Sequence, residues 1–338
     1  MDLNTLWFVL IGVLFTGFFF LEGFDYGVGM LMPFLGKNDK ERRLIINTIG
    51  PHWDGNEVWL ITAGGAAFAA FPHWYATMFS GFYMALVLVL VALILRGAAF
   101  EFRSKVPDPR WRAVWDWMIF VGSLLPALLL PVALFNLLRG VPIDASMTYR
   151  GNLMTLLNLR ALLWGVAGVL GFLFHGALFL AMKASDDLAD RARATARQLW
   201  LPVVVTVLAA SALTYFTTDV VGRLGIVPFL VPLLAVAALV AAGLFVSVRT
   251  RTAAAFVATG IAILLIVFGL FAGLYPRVMV SSLNPDWSLT VYNAASGPYT
   301  LTIMSIIAAI MVPVVLLYQA WSYWVFRQRL VRESQLEY

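Results

Sequence analysis

Four carboxylates fall inside two neighbouring apolar stretches of this chain. Glu22 and Asp25 lie in Gly17-Phe-Phe-Phe-Leu-Glu-Gly-Phe-Asp-Tyr-Gly-Val-Gly-Met30, and Asp54 and Glu57 in Pro51-His-Trp-Asp-Gly-Asn-Glu-Val-Trp-Leu60. Each pair is spaced three residues apart, which puts both members on one face of a helix. An ionised carboxylate at the centre of a bilayer costs at least about 2.5–3.5 kcal/mol, so such groups point to function. Acids stepping from one membrane face toward its middle are what a proton relay needs. Asp25, Asp54, Glu57 and Glu22 are the candidates, with Glu101 at the mouth of the hairpin. A capping role for Asp54, or pairing of the acids with Arg42, Arg43 or Arg96, is the structural alternative.

The setting of these acids is a membrane. Hydrophobic residues make up 62% of the 338 residues and charged ones 12%, and the mean hydropathy is +0.87. A soluble domain carries about 25% charged residues. The chain has no cysteine, which excludes disulfides, thiolate chemistry and iron–sulfur clusters. No cleavable signal peptide is evident, because Met1 to Thr5 has no basic residue and the first apolar run exceeds signal length. The net charge of +5 comes from basic residues scattered over loops, which does not suit nucleic acid.

A membrane span needs about 20 apolar residues. Nine are expected, at 5–35, 54–72, 75–97, 115–138, 159–182, 198–217, 226–247, 253–275 and 299–325. The loops after the odd-numbered spans hold 18 of the 23 basic residues, including Lys37, Arg103, Arg193, Arg251 and Arg332. The positive-inside rule then puts the N-terminus outside and the C-terminus in the cytoplasm. The fold expected is an all-α integral membrane protein of two four-helix bundles, 1–138 and 139–298, followed by a peripheral ninth helix and tail, 299–338. A faint internal echo, Phe20-Leu-Glu-Gly23 against Leu173-Phe-His-Gly176, favours a repeat. Gly23, Gly27 and Gly29 permit another helix to come close, and Gly27 is expected on a partner-facing surface. Pro126 and Pro131 should kink the fourth span.

The remaining polar residues are weaker signals. His52, His73 and His175 are unmatched in depth, so several haems on this chain are not expected. His52, Asn56, His175 and Arg96 read as polar support for the acids. Arg96 is expected to pair with Glu101 nearby or to close the inner mouth. Trp111, Trp115, Trp117, Trp321, Tyr323 and Trp324 read as interfacial belts. No phosphate-binding loop, dinucleotide fingerprint or hydrolase elbow occurs, and no metal site is expected.

These same residues carry a resemblance. Gly23-Phe-Asp-Tyr-Gly-Val-Gly-Met30, followed by Pro51-His-Trp-Asp-Gly-Asn-Glu-Val-Trp-Leu-Ile-Thr-Ala-Gly-Gly65, resembles subunit II of the bacterial cytochrome bd-type quinol oxidases. Phe79-Ser-Gly-Phe-Tyr83, Asp108-Pro-Arg-Trp-Arg112, Asn136-Leu-Leu-Arg-Gly-Val-Pro142 and Val278-Met-Val-Ser-Ser282 extend it over the whole chain. The resemblance implies a plasma-membrane complex that oxidises quinol and reduces dioxygen to water. It implies two b-type haems and one d-type haem in a partner, subunit I, with no cofactor assigned to this chain except the possibility of a quinone. It also implies a small single-helix subunit in some complexes, and a proton route through Asp25, Asp54 and their neighbours. A proton-coupled secondary transporter and a stand-alone membrane cytochrome are the other readings.

Overall fold

A computed structural model describes residues 2–224 and 227–331, so Arg332 and the rest of the tail lie outside the described residues. The chain is all-helical apart from one small hairpin. In order the helices are α1 (Leu3–Leu35), α2 (Asp39–Ile49), α3 (Trp53–Ala70), α4 (Pro72–Gly81), α5 (Tyr83–Phe102), α6 (Pro109–Arg139), α7 (Leu153–Leu156), α8 (Leu159–Lys183), α9 (Asp186–Thr217), α10 (Val220–Leu224), α11 (Val227–Val246), α12 (Thr252–Leu274) and α13 (Pro298–Val325). Among the described residues seven are long and apolar enough to cross a membrane: α1, α5, α6, α8, α9, α12 and α13. Helices also stand at the other two expected positions. Of these, α3 opens with the polar Trp-Asp-Gly-Asn-Glu, and α11 is a shorter apolar helix.

Local chemistry explains where the boundaries differ from expectation. The 75–97 stretch is divided, because Pro72 opens α4 and a break at Phe82 separates it from α5. At α6 the helix starts six residues early, since Asp108 accepts from Arg110 N–H (3.0 Å) and Pro109 takes the first position. The expected kinking prolines do not end α6, which continues through Pro126 and Pro131. The ring of Pro131 seats against Gly168 of α8. The unexpected element is α2. Asn38 caps it by accepting from Glu41 N–H (2.9 Å), and it buries Leu44, Ile45, Ile46 and Ile49.

At the centre runs α1, touching α3, α6, α8 and α12. Trp7, Ile11, Phe15 and Phe18 anchor one apolar cluster around its first half, and Phe24, Val28 and Met32 a second around its last half. The glycines of α1 make this position possible. A Cβ on Gly27 would lie 1.9 Å from the Phe172 carbonyl oxygen, and one on Gly29 would lie 2.2 Å from Ser123 Oγ. Gly27 therefore faces α8 of its own chain, which corrects the expectation of a partner-facing surface there.

The long loop after α12 fastens one end of the bundle. Strands β1 (Arg277–Met279) and β2 (Leu289–Thr290) pair antiparallel. Ser281 Oγ donates to the Ile143 carbonyl (2.7 Å), and Ser296 N–H donates to the Ala70 carbonyl (2.9 Å). Arg277 grips both oxygens of Asp219 at 2.7 and 2.8 Å. Those bonds, set against partial burial, hold the Asp219 carboxyl below its ordinary value of 3.8. A depressed carboxyl adds stability above its ordinary value and loses it as pH falls through the folded-state value. Pepsin cleavage within this loop, divided by that of an unstructured peptide of the same sequence at each pH, should accordingly rise as pH drops below about 4. In Asp219→Asn it should be raised and nearly flat across that range; identical profiles would discount the clamp.

Candidate functional site

Arg96, on α5, organises the acids. Its guanidinium is wholly buried and lies 5.0 Å from the Tyr26 ring centre and 5.2 Å from that of Phe100. Nη1 donates to Glu22 Oε1 on α1 (2.5 Å) and to Glu57 Oε1 on α3 (2.7 Å). Arg96 thus turns away from Glu101, which is exposed. Five residues separate the two, which puts them on different faces of α5.

Asp25 lies one turn beyond Glu22, also wholly buried. Asn56 of α3 donates through Nδ2 to Asp25 Oδ2 (2.6 Å). Among the described residues the other Asp25 oxygen has no hydrogen-bond partner, nor has Glu22 Oε2. One arginine therefore faces three carboxylates, two of them with a free oxygen in the interior. Such a cluster can take up and release protons, because full ionisation would leave two uncompensated charges in low dielectric.

Asp54 stands apart from this core. It is exposed in the first turn of α3, where its charge favours the helix dipole. It is not the cap: His52 holds that position and makes no side-chain capping bond. The imidazole of His52 is buried and stacks on Tyr323 with ring centres 4.2 Å apart.

His175 occupies a separate pocket on α8. Nε2 lies 3.2 Å from the Phe20 carbonyl and Nδ1 2.6 Å from Thr259 Oγ1. A ring protonated at Nε2 donates to the Phe20 carbonyl, and the one Thr259 hydroxyl proton is shared between Nδ1 and the Phe256 carbonyl, 2.7 Å from the same hydroxyl. Phe256 stacks on it at 4.3 Å. With both nitrogens engaged, His175 is unsuited to ligate haem iron. His73 is exposed. Among the described residues no group of three or more His, Asp or Glu is placed to hold a metal ion.

The sequence reading missed two participants. Gln319 Nε2 and Tyr323 Oη both donate to Asn56 Oδ1 at 3.0 Å. Tyr323 is therefore not simply an interfacial aromatic, as its place near a span end suggested. Gln319 did carry a signal, being a lone amide in an apolar span. A further ionic network joins α2, α5 and α6: Asp116 is gripped by Arg103 (2.5 Å) and Arg42 (2.7 Å), and Asp39 by Arg103 and Arg112 (each 2.9 Å). Arg42 is thereby committed to Asp116 rather than to the acids of α1 and α3.

Comparison with known proteins agrees with the motifs. The family model for cytochrome bd terminal oxidase subunit II matches residues 3–326. Cytochrome bd ubiquinol oxidase subunit 2 of Bacillus subtilis (strain 168) is 47% identical over 337 residues, covering 100% of this chain and 99% of its own. Cytochrome bd-I ubiquinol oxidase subunit 2 of Escherichia coli (strain K12) is 40% identical over 364 residues, covering 98% and 96%. A chain in the solved structure of bd oxidase from Geobacillus thermodenitrificans shares the fold, with a TM-score of 0.77 at 17% identity over 97% of this chain and 98% of that one. With a full-length family match and relatives this similar over their whole length, the chain belongs to the cytochrome bd terminal oxidase subunit II family.

Proposed function

We propose that this chain is the second subunit of a bacterial plasma-membrane quinol oxidase of the cytochrome bd type, which passes electrons from quinol to dioxygen and forms water. The full-length similarity to named oxidase subunits carries this reading. A proton-coupled transporter is not favoured by it. The partner is subunit I, with a small single-helix subunit as a further candidate. The two b-type haems and one d-type haem belong in subunit I on this reading, supported by the engagement of both His175 nitrogens. Nine spans, an outer N-terminus and two bundles, 1–138 and 139–298, are part of the same proposal. The pairing of successive helices within each half, α5 with α6, α8 with α9 and α11 with α12, supports the two bundles, with α1 packed against both.

Within that complex this chain supplies a cytoplasmic proton route. Asp54 receives protons at the exposed start of α3. Glu57, mostly buried on the next turn, passes them inward to Glu22 and Asp25. Arg96 holds Glu57 and Glu22 on one guanidinium, and so within reach of each other. Glu101, exposed at the end of α5, serves at most as an entry charge. The test is quinol oxidase turnover of the purified complex, normalised to haem. Asp25→Asn and Asp54→Asn keep size and hydrogen bonding but cannot carry a proton. Each should slow turnover by about 100-fold, the lower end of the range for proton-transfer catalysis, with haem content unchanged. Full turnover in both variants would return these acids to a structural role.

A further inference from the structure

The last helix adds little to the interior, yet two of its side chains enter the acid site. On α13 only Leu301 is fully buried, while Ile306, Ile310, Val314 and Leu317 are exposed. Gln319 and Tyr323 lie four residues apart, on one face. They converge on the Asn56 side-chain oxygen, each at 3.0 Å.

We propose that Gln319 and Tyr323 are positioning residues that set the protonation chemistry of Asp25 through Asn56. This rests on the proton-route reading and extends it to α13. An amide can offer a neighbour either its oxygen or its NH2 group. Tyr323 and Gln319 donate to Oδ1 while the Leu21 carbonyl, which can only accept, lies 3.5 Å from Nδ2, so the NH2 group of Asn56 faces Asp25 Oδ2 at 2.6 Å. Oδ2 is then held as an acceptor, and Oδ1, without a hydrogen-bond partner among the described residues, is the oxygen left to take and release the proton. Without the clamp the amide can turn its oxygen toward Asp25. Only a protonated Asp25 satisfies that arrangement, and release of the proton slows.

The test uses the purified oxidase complex with Tyr323→Phe and Gln319→Leu, singly and together. Phe keeps the ring over His52 and Leu keeps most of the volume. The double variant should lose roughly five- to tenfold in haem-normalised turnover, about what one or two neutral hydrogen bonds can supply, with a larger solvent deuterium isotope effect. Tyr323→Phe alone, the milder change, should lose about threefold. In an Asn56→Ala background the same substitutions should add nothing, because the group they act through is gone. Unchanged turnover and isotope effect overturn the proposal, as does a loss that persists in the Asn56→Ala background. If Asp25→Asn slows turnover while the α13 variants do not, only the clamp fails. If Asp25→Asn turns over fully, the proton route fails with it.

Discussion

Gly27→Ala should all but abolish recovery of the assembled complex, although it adds a single methyl group. That carbon would lie 1.9 Å from the Phe172 carbonyl oxygen and 2.8 Å from Gly176 Cα, both backbone atoms. A side chain could rotate away from such an overlap, but a helix backbone must translate. Moving α8 off α1 opens the contact between the central helix and the second half of the chain, next to the apolar cluster of Phe24, Val28, Phe174 and Phe179. Overpacking commonly costs about 1–3 kcal/mol, and a rigid backbone contact lies at or beyond the upper end. Gly171→Ala is the control, because nothing lies within 4 Å of a Cβ there. The measurement is complex yield and thermal midpoint by haem absorbance. Parental values for Gly27→Ala would show that α1 and α8 are less tightly apposed.

Arg96→Met should be nearly as damaging, for an electrostatic reason. It leaves Glu22 wholly buried with no cation and Glu57 without its partner. Removing one side of a buried pair costs about 3–5 kcal/mol, because the remaining charge is stranded. Arg96→Lys should recover only part of this, since an ammonium cannot reproduce the planar contact with Tyr26 and Phe100. Adding Glu22→Gln to Arg96→Met should restore much of the stability by removing the stranded charge. The readout is thermal inactivation of the complex. An Arg96→Met enzyme as stable as its parent would show the pair to be dispensable.

Glu22, Asp25 and Glu57 were legible in the sequence because a carboxylate is conspicuous in an apolar run, whereas Asp54, three residues before Glu57, stands exposed at the start of α3 and apart from them. The partner of Glu22 was less legible: Arg96 lies 74 residues away, and the chain offered Glu101 as a nearer alternative. Residues 263 and 267 positions after Asn56 supply its two donors. No local pattern encodes contacts of that separation. The small-residue run in α1 did announce a close helix contact, but glycines do not say whether the neighbour belongs to the same chain. The amphipathic α2 escaped notice because its apolar residues are too few for a span.

The separation of Glu22 from Arg96 also has a temporal side. At roughly 5–20 residues per second of synthesis, Arg96 emerges about 4–15 s after Glu22. During that interval the first helix carries an acid with no cation to meet it, so it is a poor candidate for release into lipid by itself. The ribosome delivers the remedy only with the fifth helix. The Glu22–Arg96 pair therefore closes only after α5 has been made, and the arginine fixes the order in which α1 and α5 complete their contact.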